Sequence, residues 1–139
     1  MSFEIVHLEK EVFSGEKVEI PNFNPQEGFG KMSEIKTAAY EKYADDAKNY
    51  VGINASIDGK QNYIVAKSGE GNGLISFEIP EGDYAKFVSE ETERTAIDNF
   101  IGQTYGEVMQ GGKYDLAGNF NLEDLREDKF TIYIPVNAK

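Results

Sequence analysis

Apolar residues recur along this chain in two rhythms. At steps of three and four, Met32, Ile35, Ala39, Tyr43 and Ala47 fall on one side of a helix, with Lys31, Glu34, Glu41 and Asp45 on the remaining faces. Ile97, Phe100, Ile101, Thr104 and Val108 form a second stripe, which Thr92 with Thr95 is placed to cap and Gly111-Gly112 to end. At steps of two, Val6-Leu8, Val51-Ile53-Ala55-Ile57, Ile75-Phe77-Ile79, Phe120-Leu122 and Phe130-Ile132-Ile134 read as half-buried strands. Asp58-Gly59, between the Val51 run and a run at Tyr63, marks a tight hairpin. In chain order the elements read strand, strand, helix, strand, strand, and the series starts again near Leu74. The pattern predicts an α+β fold: duplicated strand-strand-helix-strand-strand halves, about residues 1–70 and 74–139, forming a mostly antiparallel curved sheet with two helices on one face. A chain of 139 residues fits this as one domain over 1–139.

Gln26-Glu27-Gly28-Phe29-Gly30 and Ser68-Gly69-Glu70-Gly71-Asn72-Gly73 are the loosest stretches. The second joins the two halves. A strand follows it rather than a helix, and no Lys closes it, so it reads as a connector and not as a phosphate-cradling loop.

Composition removes several function classes. With no cysteine and His7 as the only histidine, a disulfide framework, a thiolate or multi-histidine metal centre and a cysteine nucleophile are all excluded. The acidic groups Glu90-Glu91-Thr92-Glu93 and Glu123-Asp124 lack the spacing of a calcium loop and read as solvated faces. Formal net charge is -11, and no basic cluster interrupts it, so direct binding of nucleic acid is not expected. The N-terminus has no basic stretch leading into an apolar run, and no window approaches a membrane span, which makes a soluble cytoplasmic protein the expectation.

If the alternating apolar residues face the helices, the opposite side of the sheet receives Phe3, Ile5 and His7, then Tyr50, Tyr84, Tyr133, and Glu123 flanked by Asn121 and Leu125. Tyrosines with a carboxylate among them suit a cleft that stacks aromatic molecules and balances a cation. Sheets favour tyrosine in any case, and Glu123 on an ordinary solvent face fits the same pattern. The residues alone leave both readings open.

The run Ser76-Phe77-Glu78-Ile79-Pro80-Glu81-Gly82-Asp83-Tyr84-Ala85-Lys86-Phe87 resembles the "eIPxGxYAxF" signature of the GyrI-like family, a small-molecule-sensing domain also found fused to AraC-type and MerR-type transcription regulators. Ala117 to Leu125 is similar to that family's "AGxFxxExY" strand, with Glu123 at its pocket glutamate, and Phe130-Thr131-Ile132-Tyr133-Ile134-Pro135-Val136 to its closing "IYIPV" strand. Ile97 to Met109 occupies the place of the second helix, with Tyr105 at a commonly aromatic position. Tyr40 and Tyr43 fall where the first helix usually has "W..F".

The resemblance implies a stand-alone effector-sensing domain for small lipophilic or cationic/aromatic, drug-like molecules. Glu123 would lie in a cleft lined by Tyr40, Tyr43, Tyr84, Tyr105, Phe130 and Tyr133. No cofactor or metal is implied, and a regulator or gyrase is the implied protein partner. The chain departs from the family in having no Trp and in carrying Leu125 where Tyr is usual, so the aromatic lining differs. Two alternatives stand beside ligand sensing: a gyrase-inhibitor-like interaction module, and a hydrolase of reactive small molecules. The hydrolase would use Glu123 as general base, provided burial raises its pKa.

Overall fold

The computed structural model describes residues 3–21, 30–43 and 49–139. The element order is β1 (Glu4–Leu8), β2 (Glu11–Glu19), α1 (Gly30–Tyr43), β3 (Tyr50–Ile57), β4 (Lys60–Ser68), β5 (Ile75–Ile79), β6 (Gly82–Ser89), α2 (Arg94–Gln110), β7 (Tyr114–Leu116), β8 (Phe120–Asp124) and β9 (Phe130–Ala138). The strands form one curled sheet in the order β1-β6-β9-β8-β3-β4-β2-β5, with β7 added to β9 and every pairing antiparallel.

Exchanging the two halves (β1 with β5, β2 with β6, β3 with β8, β4 with β9) reverses this order without changing it. Each half therefore lends its first strand to the other: β1 pairs with β6, and β5 with β2. The centre of the sheet, β8 against β3, is where the two halves meet.

Local chemistry accounts for the element ends. The β3–β4 hairpin turns through Asp58 (φ 53°) and Gly59 (φ 78°), the pair of left-handed residues that a two-residue turn needs. Gly59→Ala is expected to cost about 1 kcal/mol in a denaturant titration, because alanine resists that φ; an unchanged midpoint would mean the turn does not hold this geometry. The cap of α2 is Glu93, whose carboxylate accepts from the Thr95 amide at 3.2 Å, rather than Thr92. Gly111 and Gly112 (φ 67°) end the helix as its sequence predicts. The glycine-rich connector is tied to β2: Ser14 Oγ donates to the Gly69 carbonyl at 2.7 Å and accepts from the Asn72 amide at 2.9 Å.

Both helices pack on the same side of the sheet. Met32, Ile35, Ala39, Tyr40 and Tyr43 of α1 cover Tyr50, Tyr63 and Val65, while Ile97, Phe100, Ile101, Tyr105 and Val108 of α2 cover Phe87, Phe130, Ile132 and Ile134. Ala47, expected to extend the first stripe, and most of the Gln26–Gly30 stretch lie outside the described residues.

The expected sidedness holds for β9 and for Tyr84 of β6 but is reversed in β1, β3, β5 and β8. Val51, Ile53, Ala55, Phe120, Leu122 and Ile79 pack together with Val6, Leu8 and Phe77 in a cluster that contains no helix residue. The sheet curls and closes this face on itself, so both faces are apolar and alternation could not say which one the helices cover. No described helix is long and apolar enough to cross a membrane.

Candidate functional site

Because the faces of β3 and β8 are the reverse of the expectation, the middle of the sheet turns its polar positions toward the helices. β3 presents Gly52 and Asn54, β4 presents Tyr63, and β8 presents Asn121 and Glu123, all beneath the groove between α1 and α2. Gly52 sits opposite Glu123 in the ladder. A Cβ on Gly52 would lie 2.2 Å from the Tyr63 hydroxyl and 2.7 Å from its ring, so only glycine lets this ring lie across β3. Lying there, Tyr63 donates its hydroxyl to Glu123 Oε1 at 3.2 Å.

Glu123 has no solvent exposure. Arg94, the first residue of α2, grips it with two parallel hydrogen bonds, Nη1 to Oε1 at 2.8 Å and Nη2 to Oε2 at 2.9 Å. Asn54 Nδ2 donates to Oε2 at 2.6 Å, and Lys36 Nζ of α1 stands 3.5 Å from the same oxygen.

A second buried carboxylate, Asp98, completes the network. It accepts from Arg94 Nη2 at 2.6 Å and Nε at 3.2 Å, from Lys36 Nζ at 3.0 Å and from Ser33 Oγ at 2.6 Å. Two cations thus meet two anions, and among the described residues no buried side-chain nitrogen or oxygen lacks a partner.

Burial pushes the Glu123 carboxyl up. The charges of Arg94 and then Lys36, with the hydrogen bonds from Arg94 and Asn54, outweigh it and hold the group at about 2. Burial opposes the Arg94 charge, but Glu123, Tyr63 and Asp98 together raise its pKa above the usual value. Burial and then the Glu123 charge move the Tyr63 hydroxyl well above its ordinary range, so it stays protonated and donates. The condition for a general base, a pKa raised towards neutrality, is therefore not met: Glu123 is buried, but it is a carboxylate of very low basicity.

Beside this network lies a cavity of about 260 Å³. Met32 of α1 and Ile101 and Tyr105 of α2 wall it, Asn54 and Asn121 floor it, and Lys36 and Asp98 close one end. The floor is an ordered polar row: Tyr105 Oη accepts from Asn121 Nδ2 at 2.9 Å, and Asn121 Oδ1 accepts from Asn54 Nδ2 at 2.8 Å. The other flank of the network, with Arg94 and Ser33, lines a wider hollow of about 550 Å³ between the two helices.

Of the residues expected around Glu123, Tyr105 is in this cleft. Tyr40 and Tyr43 are on the helix side but pack into the core under α1, and Phe130 packs edge-on against Phe100, with centroids 6.3 Å apart. Tyr84 and Tyr133 are on the opposite face of the sheet. The alternation along β6 and β9 requires this, because Ala85, Ile132 and Ile134 face α2. Tyr84 donates to the Pro80 carbonyl at 2.6 Å within its own turn, and burial pushes its hydroxyl up to about 12. Tyr133 lines a separate cavity of about 280 Å³ with Leu8, Ile79, Leu122 and Arg126. His7 is exposed, hydrogen-bonded to Asp83 at 3.1 Å and Glu81 at 3.3 Å.

Sequence reasoning missed Lys36, Asn54, Tyr63, Arg94 and Asp98. Arg94 and Asp98 did carry a signal: Arg94, Asp98, Ile101 and Tyr105 share one helix side at steps of four, three and four, which places two charges on an apolar stripe.

The family model of integron-associated effector-binding proteins, Cass2, matches residues 4–136. The chain belongs to the Cass2 family. Its fold is that of the GyrI-like effector-binding domains. SAV2435, solved bound to tetraphenylphosphonium, superposes with a TM-score of 0.71 at 15% identity, over 99% of this chain and 94% of that one. The integron cassette protein VCH_CASS2 from the mobile metagenome of Vibrio cholerae gives a TM-score of 0.62 at 17% identity, over 97% and 95% of the two chains. EcmrR, in a complex with DNA, gives 0.55 at 11% identity; there this Cass2 chain aligns over 99% of its length with 58% of the other. At these identities the likeness is one of fold. No curated protein sequence matches the chain.

Proposed function

We propose that this Cass2 protein senses a small, lipophilic, drug-like aromatic molecule, held in the cleft between α1 and α2. One observation carries the reading. The cleft of about 260 Å³ has apolar walls at Met32 and Ile101 and a fixed polar floor at Asn54, Asn121 and Tyr105, the combination by which small-molecule sites gain area from some groups and orientation from others. The tetraphenylphosphonium bound by SAV2435, a protein of the same fold, supports an aryl ligand. Hydrolysis through Glu123 is disfavoured by the low basicity of that carboxylate.

Triphenylphosphine oxide is a suitable probe, since its rings suit the walls and its oxygen accepts from the Tyr105 hydroxyl or the second N–H of Asn121, both Asn54 N–H groups being donated within the network. At a hundred times its dissociation constant it is expected to stabilise the fold by about 2.7 kcal/mol in a thermal melt. Gly102 of α2 lines the same cleft. Gly102→Leu fills it while improving helix propensity, and should lower affinity at least tenfold with no loss of melting temperature. Equal binding by the native and Gly102→Leu proteins would place the ligand elsewhere.

A further inference from the structure

Among the described residues Glu123 is the one buried carboxylate on the strand floor of the groove, where an incoming cation would be balanced, but its oxygens are already taken by Arg94 and Lys36. The aromatic face beside it is occupied as well: Lys36 Nζ stands 5.0 Å, and the Arg94 guanidinium carbon 5.7 Å, from the centroid of Tyr63. Both elements of a cation-binding box, a carboxylate and a π face, are thus filled by the chain's own cations. With Asp98 included the cluster is electrically neutral. An external cation gains a counter-charge here only by breaking the two Arg94–Glu123 bonds, and it leaves a buried guanidinium short of partners if it does.

Resting on the cleft reading above, we propose that Arg94 is the residue that sets the charge selectivity of this site. It occupies the cation position at Glu123, and the native cleft accordingly selects uncharged lipophilic molecules over lipophilic cations of the same shape. Arg94 fits this role better than Lys36. Of the two cations it alone grips Glu123 through both oxygens, and its side chain, 16% exposed against 3% for Lys36, borders the wider hollow. Removing it leaves Lys36 alone against Glu123 and Asp98, an excess of one negative charge directly under the groove.

The test is calorimetry with triphenylphosphine oxide and methyltriphenylphosphonium, a neutral and a cationic molecule of nearly equal shape. The native protein should bind the oxide at least tenfold more tightly than the phosphonium. Arg94→Met should bind the phosphonium at least tenfold more tightly than the native protein does, with oxide affinity changed less than threefold. Adding Glu123→Gln to Arg94→Met should abolish that gain.

If Arg94→Met still binds the oxide but gains nothing for the phosphonium, the selectivity role is wrong and the cleft reading stands. If neither probe binds any of the proteins, the cleft reading itself fails. Should Arg94→Met not fold, as judged by circular dichroism, the native ratio decides: phosphonium binding equal to or tighter than oxide binding overturns the proposal.

Discussion

Glu123→Gln is expected to destabilise the protein by about 3 to 5 kcal/mol at neutral pH, the usual result of deleting one partner from a buried ion pair. The size follows from what the substitution leaves behind. Arg94 and Lys36 remain buried but must share Asp98, and the new amide nitrogen has to point at one of two cations.

The same residue predicts an acid limb. The Glu123 carboxyl sits at about 2 in the fold against an ordinary value of 4.5. A depressed native pKa means that the unfolded chain takes up the proton first. The contribution is therefore complete above about pH 4.5 and is lost as the pH falls towards 2, with a total of roughly 3 kcal/mol. Urea titrations of the native and Glu123→Gln proteins at a series of pH values isolate this term, because the other carboxylates are common to both. A stability difference below 1 kcal/mol at pH 7, or one that does not shrink as the pH drops to 2, would show that the pair is neither buried nor charged as described.

Gly52→Ala is expected to cost about 1 to 3 kcal/mol, the range for forcing an extra methyl into a packed interior. The methyl has no room, since the Tyr63 hydroxyl and ring lie 2.2 and 2.7 Å from where its carbon would be. Tyr63 is itself 1% exposed and cannot swing into solvent without opening the contact with α1. Moving the ring breaks its hydrogen bond to Glu123 and removes the π face from Lys36 and Arg94, so the strain passes into the charged network. Denaturant titration gives the cost, and the signal of the Tyr63 ring in NMR spectra should shift. An alanine variant as stable as the native protein, with Tyr63 unmoved, would mean that the ring does not cross β3. Gly52→Ala combined with Tyr63→Leu should recover part of the loss, because the shorter side chain leaves space for the methyl.

Local periodicity along the chain was enough to determine both helices, most strands and the β3–β4 hairpin. Each of these depends on residues a few positions apart: the stripe of Ile97, Ile101 and Val108, the alternation of Ile132 and Ile134, the turn pair Asp58-Gly59. Glu123 also stood out in the sequence, as a carboxylate within a strand and at the position of a family motif. Its surroundings did not.

Which face of the sheet the helices cover was decided by the curl, which gives the side away from the helices an apolar interior of its own and so makes both parities of a strand hydrophobic. That is why Tyr84 and Tyr133 part company with Glu123. The exchange of β1 and β5 between the halves depends on hydrogen bonds across the whole chain, to which alternation within one strand is blind. The charge state of the site has the same origin. Arg94 is 29 residues from Glu123 and Lys36 is 87 residues from it. In a linear reading each is one more charge on a helix; only packing both helices over the β3–β8 seam removes them from water together, and burial makes their pairing with Glu123 and Asp98 strong enough to set what the cleft can bind.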